Sequence, residues 1–142
     1  MTREPSSKPM PIKSVIIPAE RLVLTRSWGV VTFEEVVAHQ DGLLSNPEFN
    51  PDYDQLGIHT DVELASGTGA QAQIVARRRI FSTNSFRAHV AKRDDVYGLL
   101  RMIATYAELE NGHENVQAFR DEQSAREWLS KMRAEREASL GH

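Results

Sequence analysis

The run from Ser85 to Leu129 decides the fold, and it reads SFRAHVA (85–91), DDVYGLLRMIATYAEL (94–109), NVQAF (115–119) and DEQSAREWL (121–129). Two short apolar segments alternate here with two longer ones. In the first long segment the apolar residues recur at i, i+3, i+4, i+7 and i+11, which is typical of an amphipathic helix. A strand–helix–strand–helix alternation of this length indicates a mixed or parallel sheet covered by helices. The residues of that apolar stripe are Val96, Leu99, Leu100, Ile103 and Ala107.

The residues upstream extend the same alternation. Thr32 and Glu35 have the spacing of a capping box, which marks the start of a helix. Gly57 interrupts the predicted third strand, and because it has no side chain to pack, we expect this strand to be weaker than the others. The order is β-β-α-β-α-β-α-β-α, an α/β fold with a mixed sheet of about five strands covered by about four helices. The upstream elements are strands at Ile12–Ile17, Arg21–Trp28 and Gln55–Thr60, the first two forming a hairpin around Pro18–Glu20, and helices from Thr32 to Asn46 and within 70–82.

The length of 142 residues suits a single domain. Three prolines within residues 1–11 indicate a disordered N-terminal tail. We expect the domain to occupy residues 12–136, and residues 137–142 to form a frayed C-terminal tail.

Composition excludes several classes of function. The chain has no cysteine, so disulfides, thiolate chemistry and cysteine-ligated zinc sites are ruled out. Its net charge of −3 argues against specific nucleic-acid binding, for which a basic domain is expected. No apolar run approaches the length of a membrane span, and residues 1–11 do not resemble a signal peptide. We therefore expect a cytoplasmic protein.

No stretch of the sequence carries a catalytic, metal-binding or cofactor motif. None of the five histidines has metal-ligand spacing relative to another, although His59 and His89 lie on predicted strands and could meet across the sheet. The glycine-rich loop at 66–69 lacks the lysine of a phosphate-binding loop. The sequence therefore predicts no catalytic residue, no metal and no cofactor.

One basic run is a candidate anion-binding patch. Arg77, Arg78 and Arg79 are consecutive, and together with Arg87, Lys92 and Arg93 they could attract a phosphate or another anion. The alternative is that they form a solvated helix face paired with nearby acidic residues.

Four segments carry a resemblance to a known family. The chain resembles the SpoIIAA-like group of the STAS and anti-sigma-factor-antagonist fold, in a bacterial subgroup, over about residues 12 to 132. The segments are WGVVTFEE (28–35), DQL (54–56), DDVYGLLRM (94–102) and, most specifically, VQAFRD to AREWL (116–129).

The resemblance implies a non-enzymatic module that binds a protein partner. Well-known members of the family are switched by phosphorylation of a serine in the loop after the third strand, where the family pattern often reads Asp-Ser-Ser-Gly. Here Ser66 and Gly67 match the end of that pattern, while the aspartate and the first serine are missing. The candidate switch loop is therefore Ser66, Gly67 and Thr68. A turn serine, or the cap of the following helix, is the alternative interpretation.

Two functional hypotheses follow. The first is a regulatory or protein-binding module in bacterial signalling, with a protein partner; a homodimer is a further option for its assembly. The alternative is a domain of the same fold that binds a small apolar ligand or lipid. A cavity of at least about 300 Å³ lined by Leu99, Ile103 and Trp128 would favour the ligand. A filled core with an exposed apolar patch near Ser66 would favour the protein partner.

Overall fold

A computed structural model describes residues 11–64, 69–111 and 115–140. Within these ranges the chain forms one five-stranded mixed sheet and four α-helices, in the order expected from the sequence. The α/β fold class is therefore confirmed. The strands are β1 (Ile12–Ile17), β2 (Leu22–Val31), β3 (Asp54–Leu64), β4 (Phe86–Val90) and β5 (Asn115–Phe119), and the helices are α1 (Phe33–Ser45), α2 (Gly69–Arg77), α3 (Asp94–Asn111) and α4 (Glu122–Leu140).

The strands lie in the sheet in their sequence order, from β1 to β5. β1 and β2 form the predicted antiparallel hairpin, and the remaining neighbours are parallel. Right-handed connections between successive parallel strands bring their helices to one face of the sheet. The helices α1, α2 and α3 accordingly share one face, while α4 follows the last strand and covers the other.

The face under α4 is a filled apolar core. Trp128 of α4 packs edge-on to Phe86, with ring centroids 6.0 Å apart, and at a tilt against Phe119 at 5.7 Å. The alternation of residues along each strand puts every second side chain on this face. The buried members of this core are Leu22, Leu56, Ile58, Ala88, Val90, Ala125 and Leu129.

A buried carboxylate fastens α4 to the sheet. The side chain of Asp54 is fully buried and accepts hydrogen bonds from Arg133 Nε at 2.6 Å and from Arg136 Nη2 at 2.8 Å. The backbone N–H of Phe86 donates to the same carboxylate at 2.9 Å. The helix extends to Leu140, and the fraying expected from residue 137 stays a prediction. The two arginine contacts hold the turns of α4 around Arg133 and Arg136 against the sheet.

Two further sequence predictions have clear outcomes. The capping box of Thr32 and Glu35 is present with both of its reciprocal hydrogen bonds, and α1 ends before Asn46. The prediction of a weak third strand was wrong, since β3 is the longest strand and lies at the centre of the sheet. Gly57 is buried within this strand. The reason for a glycine at this position lies on the face of the sheet opposite α4.

Candidate functional site

The face of the sheet under α1, α2 and α3 is mixed in character. It carries two buried apolar clusters, one with Val31 and Val62 and one with Val23 and Leu43, and it also carries a set of polar side chains. In the middle strands the residues that alternate with the apolar core carry hydroxyl, amide, imidazole and guanidinium groups. These residues are Thr25 and Ser27 on β2, Gln55 and His59 on β3, and Arg87 and His89 on β4.

A cavity of about 210 Å³ lies between this face and the three helices. The polar strand residues form its floor, and aliphatic side chains of the helices form its walls. Leu99 and Ile103 line it, but Trp128 does not, because α4 packs on the opposite face of the sheet. The cavity is also smaller than the volume of about 300 Å³ given above as favouring a ligand, so it meets that criterion only in part. The principal helix residues of the wall are Val36, Leu43, Val75, Leu99, Leu100 and Ile103.

A hydrogen-bonded chain runs across the floor of the cavity. Ser27 Oγ lies 2.5 Å from His59 Nδ1, and His59 Nε2 lies 3.0 Å from His89 Nδ1. The two imidazole rings are stacked, with centroids 5.2 Å apart and planes inclined by 17°. The possible meeting of His59 and His89 across the sheet is therefore confirmed.

The hydrogen bonds between Ser27, His59 and His89 couple the tautomers of the two histidines, because each neutral imidazole has one donor and one acceptor nitrogen. If Ser27 donates to His59, then His59 Nε2–H donates to His89, and His89 Nε2 carries a proton. If the chain runs in the opposite direction, His89 Nε2 becomes an acceptor. No described residue hydrogen-bonds to His89 Nε2. A bound molecule could therefore meet either a donor or an acceptor at this atom.

A second hydrogen-bonded chain joins the sheet to α1. Gln55 Nε2 donates to Thr25 Oγ1 at 2.9 Å, and Thr25 Oγ1 lies 2.7 Å from Ser14 Oγ on β1. Ser14 Oγ in turn lies 2.7 Å from His39 Nε2 on α1. These contacts satisfy polar groups that would otherwise be costly to bury, and they position α1 over the cavity.

Gly57 makes room for the histidine pair. It lies on β3 between Gln55 and His59, on the same face of the sheet. A Cβ atom at this position would lie 2.7 Å from His59 Nε2 and closer still to His89 Nδ1, which is shorter than such atoms can approach. The missing side chain is therefore a requirement of the site, and the central strand needs glycine here.

The histidines of the site are neutral at pH 7. Burial, and secondarily the nearby His39, lower the pKa of His59 to about 4. Burial, His59 and Arg87 together hold the pKa of His89 well below 6.5. Burial also lowers the pKa of His39. Neutral rings can donate and accept hydrogen bonds, so this floor can bind a polar group of either kind.

The charged residues that line the cavity are all cationic. Arg87 is 8% exposed, and Arg79 follows α2 with a left-handed φ of 45°. Of the described residues that line the cavity, none is Asp or Glu. Nor is any group of three or more histidine, cysteine or acidic residues in the described part of the chain arranged to hold a metal ion.

The structure places the three arginines of the predicted anion patch in different surroundings. Arg77 is exposed at the end of α2, Arg78 forms an ion pair with Asp41 of α1, and Arg79 lines the cavity. The candidate switch loop of Ser66, Gly67 and Thr68 lies outside the described residues.

Sequence reasoning missed most of the floor. The sequence predicts Thr25, Ser27 and Gln55 only as residues of strands, and it places Arg87 with the basic run. The signal that could have found them is the recurrence of polar residues at every second position in three successive strands. In a sheet covered on both faces, that pattern predicts a buried polar surface.

The chain matches no protein-family model, and comparisons with curated proteins and with solved structures return no match. The resemblance to the SpoIIAA-like group, and the partner binding that it implies, therefore stay predictions. None of the described helices combines the length and the apolar character that crossing a membrane requires.

Proposed function

We propose that the protein is a non-enzymatic regulatory module that binds a small molecule in the cavity between the sheet and α1–α3. The single observation that carries this proposal is the cavity of about 210 Å³ with aliphatic walls and a hydrogen-bonding floor. Ligand sites typically combine a mostly apolar lining with a few convergent polar groups. A filled core would have needed none of the polar residues on this face.

The volume limits the size of the ligand. A cavity of about 150 Å³ can hold benzene, and a water molecule in the liquid takes about 30 Å³. The cavity of about 210 Å³ therefore suits a single substituted ring or a short branched chain. It is too small for the drug-sized molecules that occupy pockets of about 300 Å³ and more.

The histidine chain favours binding over catalysis. Ser27 Oγ and His59 are within the reach of a nucleophile and its base. The far nitrogen of His59 meets a neutral imidazole, whereas in serine-histidine triads a carboxylate stabilises the cation that forms. A charged His59 is further disfavoured here, because its pKa is lowered to about 4.

A regulatory role follows from the position of the cavity. A ligand there would contact residues of all three helices on this face, and those helices also form the outer surface. A ligand shifts a conformational equilibrium only if it binds one state more tightly than another. A small molecule that draws α1, α2 and α3 together would favour one arrangement of the surface offered to a protein partner.

Screening a library of single-ring and short-chain compounds by protein-observed NMR tests the proposal. We expect fragments to shift the resonances of residues on both the floor and the walls. Replacing Ala107, a buried wall residue, with leucine fills part of the cavity. Ala107→Leu should weaken the binding of every such fragment by about ten-fold or more, since the space is lost.

The matched control is Ala134→Leu, which makes the same change at an exposed position of α4. It should leave fragment affinity unchanged. A screen without a cavity-binding fragment, or equal affinity for the wild type and Ala107→Leu, would overturn the proposal.

A further inference from the structure

We infer that the ligand of this cavity is a small organic carboxylate, with its carboxylate on the floor near Arg87 and His89 and its apolar body against α1 and α3. This inference rests on the proposed binding function and adds the chemical class of the ligand.

The first support is the sign of the charge around the cavity. Arg79 and Arg87 are its charged lining residues, and no acidic residue lines it within the described part of the chain. In such surroundings an anion is stabilised and a cation is repelled. The low dielectric of the interior strengthens the effect of Arg87, which is buried, whereas Arg79 is exposed and its effect is screened by solvent.

The second support is the geometry of Arg87. It lies two residues before His89 on the same face of β4, so its side chain and the imidazole share the floor. Its guanidinium carbon lies 5.3 Å from the centre of the Phe81 ring, which holds the planar group in place. A fixed, planar guanidinium can donate two parallel hydrogen bonds to a carboxylate.

The third support is the state of the histidine chain that an anion would select. A carboxylate only accepts hydrogen bonds, so it would favour the tautomers that leave a proton on His89 Nε2. Ser27 then donates to His59, and His59 donates to His89, so every contact of the chain is kept. A ligand with an anionic group therefore satisfies the floor without breaking its hydrogen bonds.

The walls define the rest of the ligand. Val36, Leu99 and Ile103 are aliphatic and line the cavity from α1 and α3. They match an apolar body of one ring or a short branched chain. Inorganic anions such as phosphate would leave these walls without a partner, so an aromatic or branched aliphatic acid fits better.

Three probe molecules of nearly equal shape test which sign of ligand charge the cavity prefers. Benzoate, benzamide and benzylamine carry an anionic, a neutral and a cationic group on the same ring. Their dissociation constants for the full chain can be measured by NMR titration at pH 7.5. We expect benzoate to bind at least about ten-fold more tightly than benzamide, because hydrogen bonds to charged groups are the stronger ones, and benzylamine to bind most weakly.

Two arginine substitutions test whether the preference for benzoate over benzamide comes from the residues that line the cavity. Arg87→Gln should abolish the advantage of benzoate over benzamide. Since Arg87 is buried and its loss could prevent folding, Arg79→Gln provides a second variant, and it should reduce the advantage several-fold. Arg77→Gln is the control, because it removes the same charge from an exposed neighbour that does not line the cavity. It should keep the full advantage.

The outcomes separate this inference from the proposed function. If benzamide binds as tightly as benzoate, and Ala107→Leu weakens both, the carboxylate is wrong and the ligand-binding function stands. Equal losses in Arg79→Gln and Arg77→Gln would also overturn the inference, because the preference would then come from the general field of the surface. If no compound binds the cavity at all, the proposed function fails as well.

Discussion

The two faces of the sheet use the same strands for opposite purposes. On the α4 face, Leu56 and Ile58 of β3 are buried in a filled apolar core. On the other face, Gln55 and His59 of the same strand line a cavity with hydrogen-bonding groups. Because side chains alternate along a strand, one backbone can build a core and a site without compromise between them. Buried apolar clusters stabilise both faces, and only the face under α1–α3 also carries the cavity to which we assign the proposed binding function.

The faces also bury polar groups in different ways. The Asp54 carboxylate is charged, and its partners are Arg133, Arg136 and the Phe86 N–H. Burial raises the pKa of Asp54, but the hydrogen bonds from these groups outweigh burial, so that its pKa lies below the usual 3.8. His59 and His89 instead stay neutral and share their hydrogen bonds. A charge with fixed partners suits a structural contact, whereas neutral groups with two tautomers suit a ligand.

The largest expected effect comes from breaking the ion pairs of the α4 face. Asp54→Ala leaves Arg133 and Arg136 without their shared carboxylate, and we expect a loss of about 3–5 kcal/mol in the free energy of unfolding. Urea denaturation followed by circular dichroism measures this loss. The control is Asp41→Ala, which removes an exposed partner of Arg78 and should cost no more than about 1 kcal/mol. Similar losses in both variants would show that Asp54 has no special role.

A smaller effect is expected from adding one methyl group to the cavity face. Gly57→Ala places a Cβ atom against His59 and His89, and we expect a loss of up to about 3 kcal/mol as the rings are displaced. Gly98→Ala is the matched control, because the space around Gly98 on α3 is open. There the exchange should stabilise the protein by about 0.5–1 kcal/mol. A stabilising Gly57→Ala would contradict the close packing of the histidine pair.

The two faces should lose stability in different ranges of pH. Since the folded pKa of His59 is about 4 and that of an unfolded histidine is about 6.5, the unfolded state binds more protons between these values. Stability should therefore be complete above pH 6.5 and fall as the pH decreases. At pH 5 the loss from His59 alone should be about 2 kcal/mol. Asp54, whose pKa lies below 3.8, adds its own loss only at lower pH.

Urea denaturation at a series of pH values between 7.5 and 4.5 measures the contribution of the cavity face. The double variant His59→Gln, His89→Gln should have a much flatter profile in this range, because it removes two groups that resist protonation in the folded state. An unchanged profile would mean that other groups cause the acid sensitivity.

Much of the fold could be predicted because it depends on local patterns. The stripe that begins at Val96 marked α3, and Thr32 with Glu35 marked the start of α1. The faces of β4 were also predictable, since Ala88 and Val90 alternate with polar residues. The site was harder to predict because its residues are distant in sequence. Ser27, His59 and His89 belong to three strands, and only the register of those strands brings them together.

Gly57 shows where local reasoning failed. Within its own strand, a glycine is a weakness, and the sequence therefore predicted a weak β3. In the folded protein, its neighbour across the sheet is His89, and the missing side chain admits the imidazole rings. The physical reason for this residue is a contact with another strand, which no local pattern contains.

The sequence by itself determined the order of the elements, the alternation of their faces and the ends of α1. These features follow from the periodicity of apolar residues and from capping groups, which act within a few positions of the chain. Only the tertiary structure decided that Trp128 packs on the opposite face from Leu99, that the basic run divides among three surroundings, and that the polar residues enclose a cavity. These outcomes depend on how strands pair and on which face each helix covers, so they arise from contacts between residues that the sequence keeps far apart.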